Sequence, residues 1–267
     1  MPLGLLTWNL FHGRDFPPDP ALFTWRSRLL GIAERNETHL QVNRDLFEEF
    51  ANVLREAPWD LALLQECPPR WSERLAQACG AEGHRVLTSR NTLLPITSLL
   101  ARLNPDLIAS WEGGSNLTLA RGDAGAIADR RELVLRPGPR PERRTMAFTR
   151  TATGPCVANL HASTSDPLAT VELLHAARQS LEWAEGAPLV LGGDFNLRPR
   201  QSEAFAELEA LGFSAPSEPG SIDHLLANGL AIVEPAKAWP AGLREVPHDG
   251  LGIRLSDHAP VGATFAT

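Results

Sequence analysis

Short apolar runs recur from one end of the chain to the other, each closed by glycine, proline or a polar turn. Runs of this length and boundary are the pattern of β-strands. Strands are therefore expected near Leu3–Leu10, Trp59–Gln65, His84–Thr88, Asn116–Ala120, Glu132–Leu135, Thr145–Thr151, Cys156–Ala162, Pro188–Gly192, Ile222–Ala227 and Ala259–Phe265. Three stretches carry the three-to-four spacing of a helix instead. Thr38–Ala57 places Leu40, Leu46, Phe47, Phe50, Val53 and Leu54 at that spacing and meets Pro58. Asp166–Glu185 opens on Asp-Pro, a capping residue with proline in the first turn, and carries Leu168, Val171, Leu174, Ala177 and Leu181. Ser202–Leu211 stops at Gly212. Several strands adjoin one another between Asn116 and Ala162, with helices before and after. That order predicts an α+β chain with largely antiparallel sheets covered by helices. Leu99–Pro141, with its GG, GPRP and many arginines, reads as irregular loops inserted in a single domain spanning 1–267, because strand signals continue on both sides.

Composition narrows the class without naming the chemistry. At 43% hydrophobic and 21% charged residues over 267 positions, the chain has the makings of one large core. Formal charge is −7, and Lys237 is the one lysine beside 24 arginines. A chain of that sign does not coat polyanions by bulk attraction, although a few placed guanidinium forks can still hold phosphates. The densest cluster is Arg130, Arg131, Arg136, Arg140, Arg143 and Arg144. It is read as a solvated loop partly neutralised by Asp129, Glu132 and Glu142, with one or two arginines turned into a cleft. Cys67, Cys79 and Cys156 are an odd number without CxxC spacing, which predicts buried free thiols. The first residues lack a basic, then apolar, leader, and no run approaches a membrane span. A cytoplasmic monomer without a membrane anchor is expected.

The chemistry lies where the strands end. Asn9 closes the first run, Glu66 follows Gln65, Asn159 and His161 share a face of one strand, and Gly192-Gly193 leads into Asp194-Phe195-Asn196. If that strand continues, Asp194 and Asn196 share a face as well. Asp223 begins one late strand, and Asp257-His258 precedes another. Convergence of these ends makes a cleft of carboxylates, amides and histidines. Oxygen donors such as Glu66 and Asp257 suit Mg²⁺ or Mn²⁺. Asp194 can take a proton from water, and a histidine held by a carboxylate can donate to a phosphoryl oxygen. His12, His39, His84, His175 and His248 have no partner legible in the sequence and are read as surface or core residues.

In order, TWN (Thr7–Asn9), LLQE (Leu63–Glu66), NLH (Asn159–His161), GGDFN (Gly192–Asn196), IDHLL (Ile222–Leu226) and SDHAP (Ser256–Pro260) resemble the endonuclease/exonuclease/phosphatase superfamily of DNase I and exonuclease III. The resemblance implies a four-layer α/β/β/α sandwich, two mostly antiparallel sheets flanked by helices, and divalent-metal cleavage of phosphate esters at one edge. It implies Glu66 as principal metal ligand with Asn9 and Asp257. It gives Asp194 the attacking water, Asn196 the water or phosphate, and His258 the scissile phosphate, with Asp223 behind it. Asn159 and Asn116 become substrate contacts. His161, where exonuclease III-type enzymes carry tyrosine, resembles the second histidine of DNase I and the neutral sphingomyelinases, a general acid or phosphate ligand held by a carboxylate; Glu112 is the candidate by position. The expected activity is that of a Mg²⁺- or Mn²⁺-dependent nuclease. Hydrolysis of a small-molecule, inositol or lipid phosphate is the alternative, and a non-catalytic binding module of the same fold is a third reading.

Overall fold

The computed structural model describes residues 2–88, 94–137, 143–215 and 217–266. Its first half runs β1 (Pro2–Asn9), α1 (Trp25–Leu30), β2 (Glu34–Arg35), β3 (Leu40–Gln41), α2 (Phe47–Glu56), β4 (Leu61–Cys67), α3 (Ser72–Ala78), β5 (Glu82–Leu87), α4 (Leu94–Leu103), α5 (Pro105–Glu112), β6 (Ser115–Ala120) and β7 (Ile127–Arg136). Then follow β8 (Arg144–Thr151), β9 (Cys156–His161), α6 (Asp166–Ala184), β10 (Leu189–Asp194), α7 (Ala204–Ala210), β11 (Asp223–Asn228), β12 (Ala231–Ala238), β13 (Glu245–His248), β14 (Leu251–Arg254) and β15 (Val261–Ala266).

Two large sheets result. One has the order β12-β15-β1-β4-β6-β5 and the other β11-β10-β9-β8-β7. Only β1–β4 and β9–β10 pair in parallel within them; the remaining neighbours are antiparallel. The central strands read as nearly unbroken apolar runs because both of their faces are covered. Along β1, Leu6 and Trp8 turn outward onto Phe50 and Leu54 of α2 and Leu75 of α3, whereas Leu5 turns inward. Along β10, Leu189 and Leu191 meet Leu173 and Ala177 of α6 and Phe205 of α7, while Val190 turns inward. Leu5, Leu63, Val157, Val190, Leu225 and Phe265 fill the space between the sheets. The expected sandwich of two mostly antiparallel sheets flanked by helices is thus the observed one.

Three expectations change. The first long helix begins at Phe47 rather than Thr38. Residues 40–41 pair with β2, and the Val42 N–H donates to the buried Asp15 carboxylate at 2.9 Å, so backbone groups that a helix needs are taken by tertiary partners. The described part of the stretch 99–141, residues 99–137, is not irregular. It holds the end of α4, α5 capped by the Asn104 side chain with Pro105 behind it, β6, and β7. The arginines lie on the β7–β8 hairpin, not on a loop; Arg140 falls outside the described residues. Finally, β10 ends at Asp194, and Asn196 takes a left-handed backbone (φ 53°), so the strand does not continue through both. The three cysteines are buried and unpaired, and burial pushes the Cys67 thiol up to about 12.

Candidate active site

Register alone assembles half of the site. In the second sheet Asp194 lies opposite His161 on one side and Asp223 on the other. In the first sheet Asn9 lies opposite Gln65, one residue before Glu66. The β4–β6 ladder slips between Leu64 and Cys67, and Glu66 sits in that bulge with φ 47°. Bulges at strand ends re-aim side chains, and here the bulge turns Glu66 toward the histidines. Left-handed non-glycine residues gather at this edge: Phe11, His12, Glu66, Asn196 and Ser256, with Glu185 and Asp249 lying elsewhere among the described residues. Such backbone persists only where the surroundings over-determine it. The Phe11 N–H is held by Asn9 Oδ1 at 3.0 Å and the Leu10 N–H by the Gln65 carbonyl at 2.8 Å. Gly13 lies against the Trp71 ring, 2.3 Å from where a Cβ would stand. In the GGD segment, Gly193 (φ 135°) approaches the Leu160 carbonyl so closely that a Cβ would lie 1.9 Å from its oxygen. Only glycine allows that approach.

Asp194 is the hub. Its Oδ2 accepts from Asn9 Nδ2 at 3.0 Å and lies 3.4 Å from His161 Nε2 and 3.8 Å from His258 Nε2; its Oδ1 accepts the Asn196 N–H at 3.1 Å. Burial, reinforced by the Asp223 charge, raises its carboxyl to about 7 against the pull of His258 and Asn9. His258 Nδ1 is 2.8 Å from Asp223 Oδ2. Burial would lower that imidazole, but its bond to Asp223 and the charges of Asp223, Asp194 and Asp257 raise it to about 10. The ring is anchored through its own backbone: the His258 carbonyl accepts from Trp8 Nε1 and from Arg244, and its N–H donates to Ser256 Oγ.

The two histidines that flank Asp194 differ in charge. Burial and the neighbouring Arg144 guanidinium lower His161 to about 3, so its ring is neutral. Arg144 donates to Nδ1 at 3.2 Å, which leaves the proton on Nε2, facing Asp194. His161 lies near two carboxylates, Asp194 Oδ2 at 3.4 Å from Nε2 and Glu66 Oε1 at 3.9 Å from Nδ1, and neither is the expected Glu112. Glu112 instead pairs with Arg70 and accepts from Ser98 in the interior. Among the described arginines of the cluster, Arg144 meets a site histidine, while Arg130, Arg131, Arg136 and Arg143 pair with Glu82, Asp129, Glu172 and Glu132.

Glu66 faces the other side of the cleft. His12 Nε2 lies 3.2 Å from its Oε2, and His161 Nδ1 3.9 Å from its Oε1. Burial would raise this carboxyl; His12, His161, His258 and Arg14 together hold it at about 2. His12 therefore belongs to the site, contrary to its reading as a residue without a partner. Nothing in the pattern WNLFHG marks it, because its approach depends on two successive left-handed residues. Asn159 and Asn116 are also placed differently from expectation. Asn159 bridges the two sheets, accepting from Gln65 Nε2 and donating to the Leu64 carbonyl, and Asn116 donates to the Thr145 carbonyl. Both are fully buried and present no surface to a substrate. Asn196 donates its side-chain amide to the Ala162 carbonyl.

Two groupings have the composition of a cation site. Asp194, Asp223 and His258 bring three ligand atoms within 4.8 Å of one another. There the His258–Asp223 bond already occupies Nδ1 and Oδ2, which leaves Nε2 and Oδ1. Glu66, Asp257 and Asn9 are an all-oxygen set, and the charge of Glu66 helps burial raise the Asp257 carboxyl, a repulsion that a hard dication relieves. One lone pair of Asn9 Oδ1 is engaged by Phe11. The second grouping fits Mg²⁺ or Mn²⁺ better.

The profile of the Endonuclease/Exonuclease/phosphatase family matches residues 6–258. No curated protein matches the sequence. Among solved structures, an endonuclease/exonuclease/phosphatase family protein from Bacteroides thetaiotaomicron is 15% identical, with 99% of this chain and 95% of that one covered at a TM-score of 0.63. A mannosyl-6-phosphatase from the same organism is 14% identical over 99% and 100%, also at 0.63. Truncated TDP2 from Caenorhabditis elegans is 13% identical over 100% and 98%, at 0.57. At these identities the likeness concerns the fold.

Proposed function

The chain belongs to the endonuclease/exonuclease/phosphatase family, and on that premise we propose that it is a divalent-metal-dependent phosphoesterase acting on phosphodiesters. The observation that carries the reading is the split of charge around Asp194: one cationic imidazole, His258, and one neutral one, His161, on a carboxylate raised to about 7. A carboxylate near neutrality is suited to take a proton from water. Asp194 therefore orients the attacking water and receives its proton, with Asn9, Asn196 and His161 fixing the carboxylate. His258, kept charged by Asp223, donates through Nε2 to a phosphoryl oxygen as negative charge grows there. Glu66 and Asp257, with Asn9, would hold the cation, whose contribution is neutralisation of phosphoryl oxygen charge.

The paired arginines bear on the substrate. Arg130, Arg131 and Arg143 face carboxylates, so these described arginines of the hairpin do not form a cationic track for a long polyanion. This favours a small or lipid-borne phosphate ester. A nuclease is the second reading, favoured by Arg198 and Arg200, both exposed just beyond Asn196. The test is hydrolysis of bis-(p-nitrophenyl) phosphate with Mg²⁺ or Mn²⁺, followed by a panel of plasmid, single-stranded DNA, RNA, inositol phosphates and phospholipids. Turnover that EDTA stops is expected. Absence of turnover with every divalent metal would overturn the assignment, and cleavage of nucleic acid alone would select the second reading.

A further inference from the structure

Helix α4 is amphipathic in the wrong direction for a soluble surface. Ile96, Leu99, Leu100 and Leu103 fall at i, i+3, i+4 and i+7, the spacing of a core-facing stripe. Yet all four are between 44% and 71% exposed, while Ala101 on the opposite side is fully buried. Helix α1 repeats the theme: Ser27 is its one buried residue, and Trp25, Leu29 and Leu30 are each more than half exposed. On α5, Trp111 is 68% exposed. The three helices are neighbours. α5 packs against both α1 and α4, and the Asn104 side chain, at the α4–α5 junction, donates to the Arg28 carbonyl of α1 at 2.9 Å. Exposed apolar residues gathered on helices that pack against one another mark an interaction site rather than ordinary exposure.

The charges select the partner. Neither α1 (WRSRLL) nor α4 (LPITSLLARL) contains an acidic residue, and their charged side chains are Arg26, Arg28 and Arg102. The two acids of α5 turn inward: Asp106 accepts from Gln41 and Glu112 pairs with Arg70. Arg102 lies 3.9 Å from Asp45, so in a chain of net charge −7 the positive charge of this face rests chiefly on the exposed Arg26 and Arg28. A second copy would oppose the same arginines to one another. A partner that accepts leucines and tryptophans while presenting negative charge over a broad area is an anionic bilayer, in which tryptophan rings seat at headgroup depth and arginines meet phosphates. No described helix is long and apolar enough to cross a membrane, so such contact is made from the surface.

We propose that α1, α4 and α5 form a docking surface for an anionic lipid bilayer. The surface borders the catalytic edge. α5 packs on the Phe11–Gly13 loop, and a cavity of about 430 Å³ lined by Arg14, Phe23, Trp25, Arg28 and Asp106 joins that loop to α1. Docking would therefore bring the cleft to phosphate esters at the lipid–water boundary, a substrate class that rests on the phosphoesterase reading, whereas the docking itself does not.

The test is flotation of the full chain with vesicles of phosphatidylcholine alone or mixed in equal parts with phosphatidylglycerol. Co-flotation with the mixed vesicles, weakened by salt, is expected. The double substitution Leu99→Glu and Leu103→Glu should lower bound protein by about 10-fold or more, and Arg26→Gln with Arg28→Gln by several-fold. Both pairs are exposed, so unchanged circular dichroism and melting are expected, as is unchanged hydrolysis of bis-(p-nitrophenyl) phosphate without vesicles. Absence of flotation, or flotation indifferent to the Leu99/Leu103 change, would overturn the proposal. A dimer in light scattering that the same change dissociates would assign the face to a second copy instead. Flotation without any turnover would uphold docking while refuting the phosphoesterase reading.

Discussion

Replacing Asp223 with asparagine keeps the shape of the His258 partner and removes its charge. The His258 imidazolium is favoured from its ordinary 6.5 to about 10, which at roughly 1.4 kcal/mol per pH unit corresponds to about 5 kcal/mol of preference for the charged form. Asp223 contributes both the 2.8 Å bond and the leading charge, with Asp194 and Asp257 supplying smaller shares. The same substitution acts on Asp194, whose carboxyl Asp223 helps to raise. The signs are separate and both informative. The base works once deprotonated, so the acid limb of kcat/KM in the native enzyme lies near 7 and moves down when Asp223 loses its charge. The imidazolium works while protonated, so the alkaline limb lies near 10 and also moves down, toward the ordinary histidine range. The whole bell is expected to shift acidward. At pH about 9, where an unassisted imidazole is almost wholly neutral, the loss should be between about 10-fold and 10²-fold. Initial rates on bis-(p-nitrophenyl) phosphate at saturating Mg²⁺, with melting temperature as a control for folding, measure it. An alkaline limb that stays in place would refute the assignment of His258 as a cation held by Asp223.

The other predictions concern the cation, the backbone and the thiols. EDTA should abolish turnover and added Mn²⁺ or Mg²⁺ restore it, and Glu66→Gln should weaken Mn²⁺ binding in calorimetry by about 10-fold or more, since it removes a carboxylate held at about 2. Gly193→Ala forces a Cβ into the Leu160 carbonyl and should cost about 3 kcal/mol or more in denaturant titration; Gly186→Ala, at φ 83° with nothing within 4 Å, should cost only about 1 kcal/mol. The buried thiols, Cys67 foremost, should ignore Ellman's reagent until the chain is unfolded.

Much of this architecture was legible because local pattern and tertiary need coincide. The central strands are apolar on both faces, so β1, β4, β9 and β10 announce themselves, and the polar residues at their ends are conspicuous against that background. The α6 start is legible from Asp166-Pro167, although the N-cap is Ser165, without a side-chain capping bond, and not the expected Asp166. What escaped did so for physical causes. β12 is an exposed edge strand that holds Pro235 and two register shifts, so it shows no alternation. β7 was legible only over Glu132–Leu135; its first half carries Asp129, Arg130 and Arg131, a composition shared with loops. The segment around Leu40–Val42 has helical spacing, but its hydrogen bonds go to β2 and to Asp15. In the site, the residues found by pattern are those that lie at strand ends. The ones missed, His12 and Arg244, act through backbone geometry or from distant loops.

Arg144 shows why a shared constellation need not imply a shared protonation state. A histidine backed by a carboxylate stays charged; the same histidine backed by a guanidinium in a buried setting is driven neutral and fixed in one tautomer. His161 is in the second situation, at 3.2 Å from Arg144, and His258, at 2.8 Å from Asp223, is in the first. If both rings were charged, two cations would flank Asp194, its carboxyl would fall, and it would lose the capacity to take a proton near neutral pH. With one ring neutral, Asp194 remains at about 7, and the Nε2 of that ring stays 3.4 Å from its carboxylate. On the proposed mechanism, the arginine thus preserves the basicity of the carboxylate across the cleft, and His258 is the ring left to meet the charge that develops on phosphorus-bound oxygen.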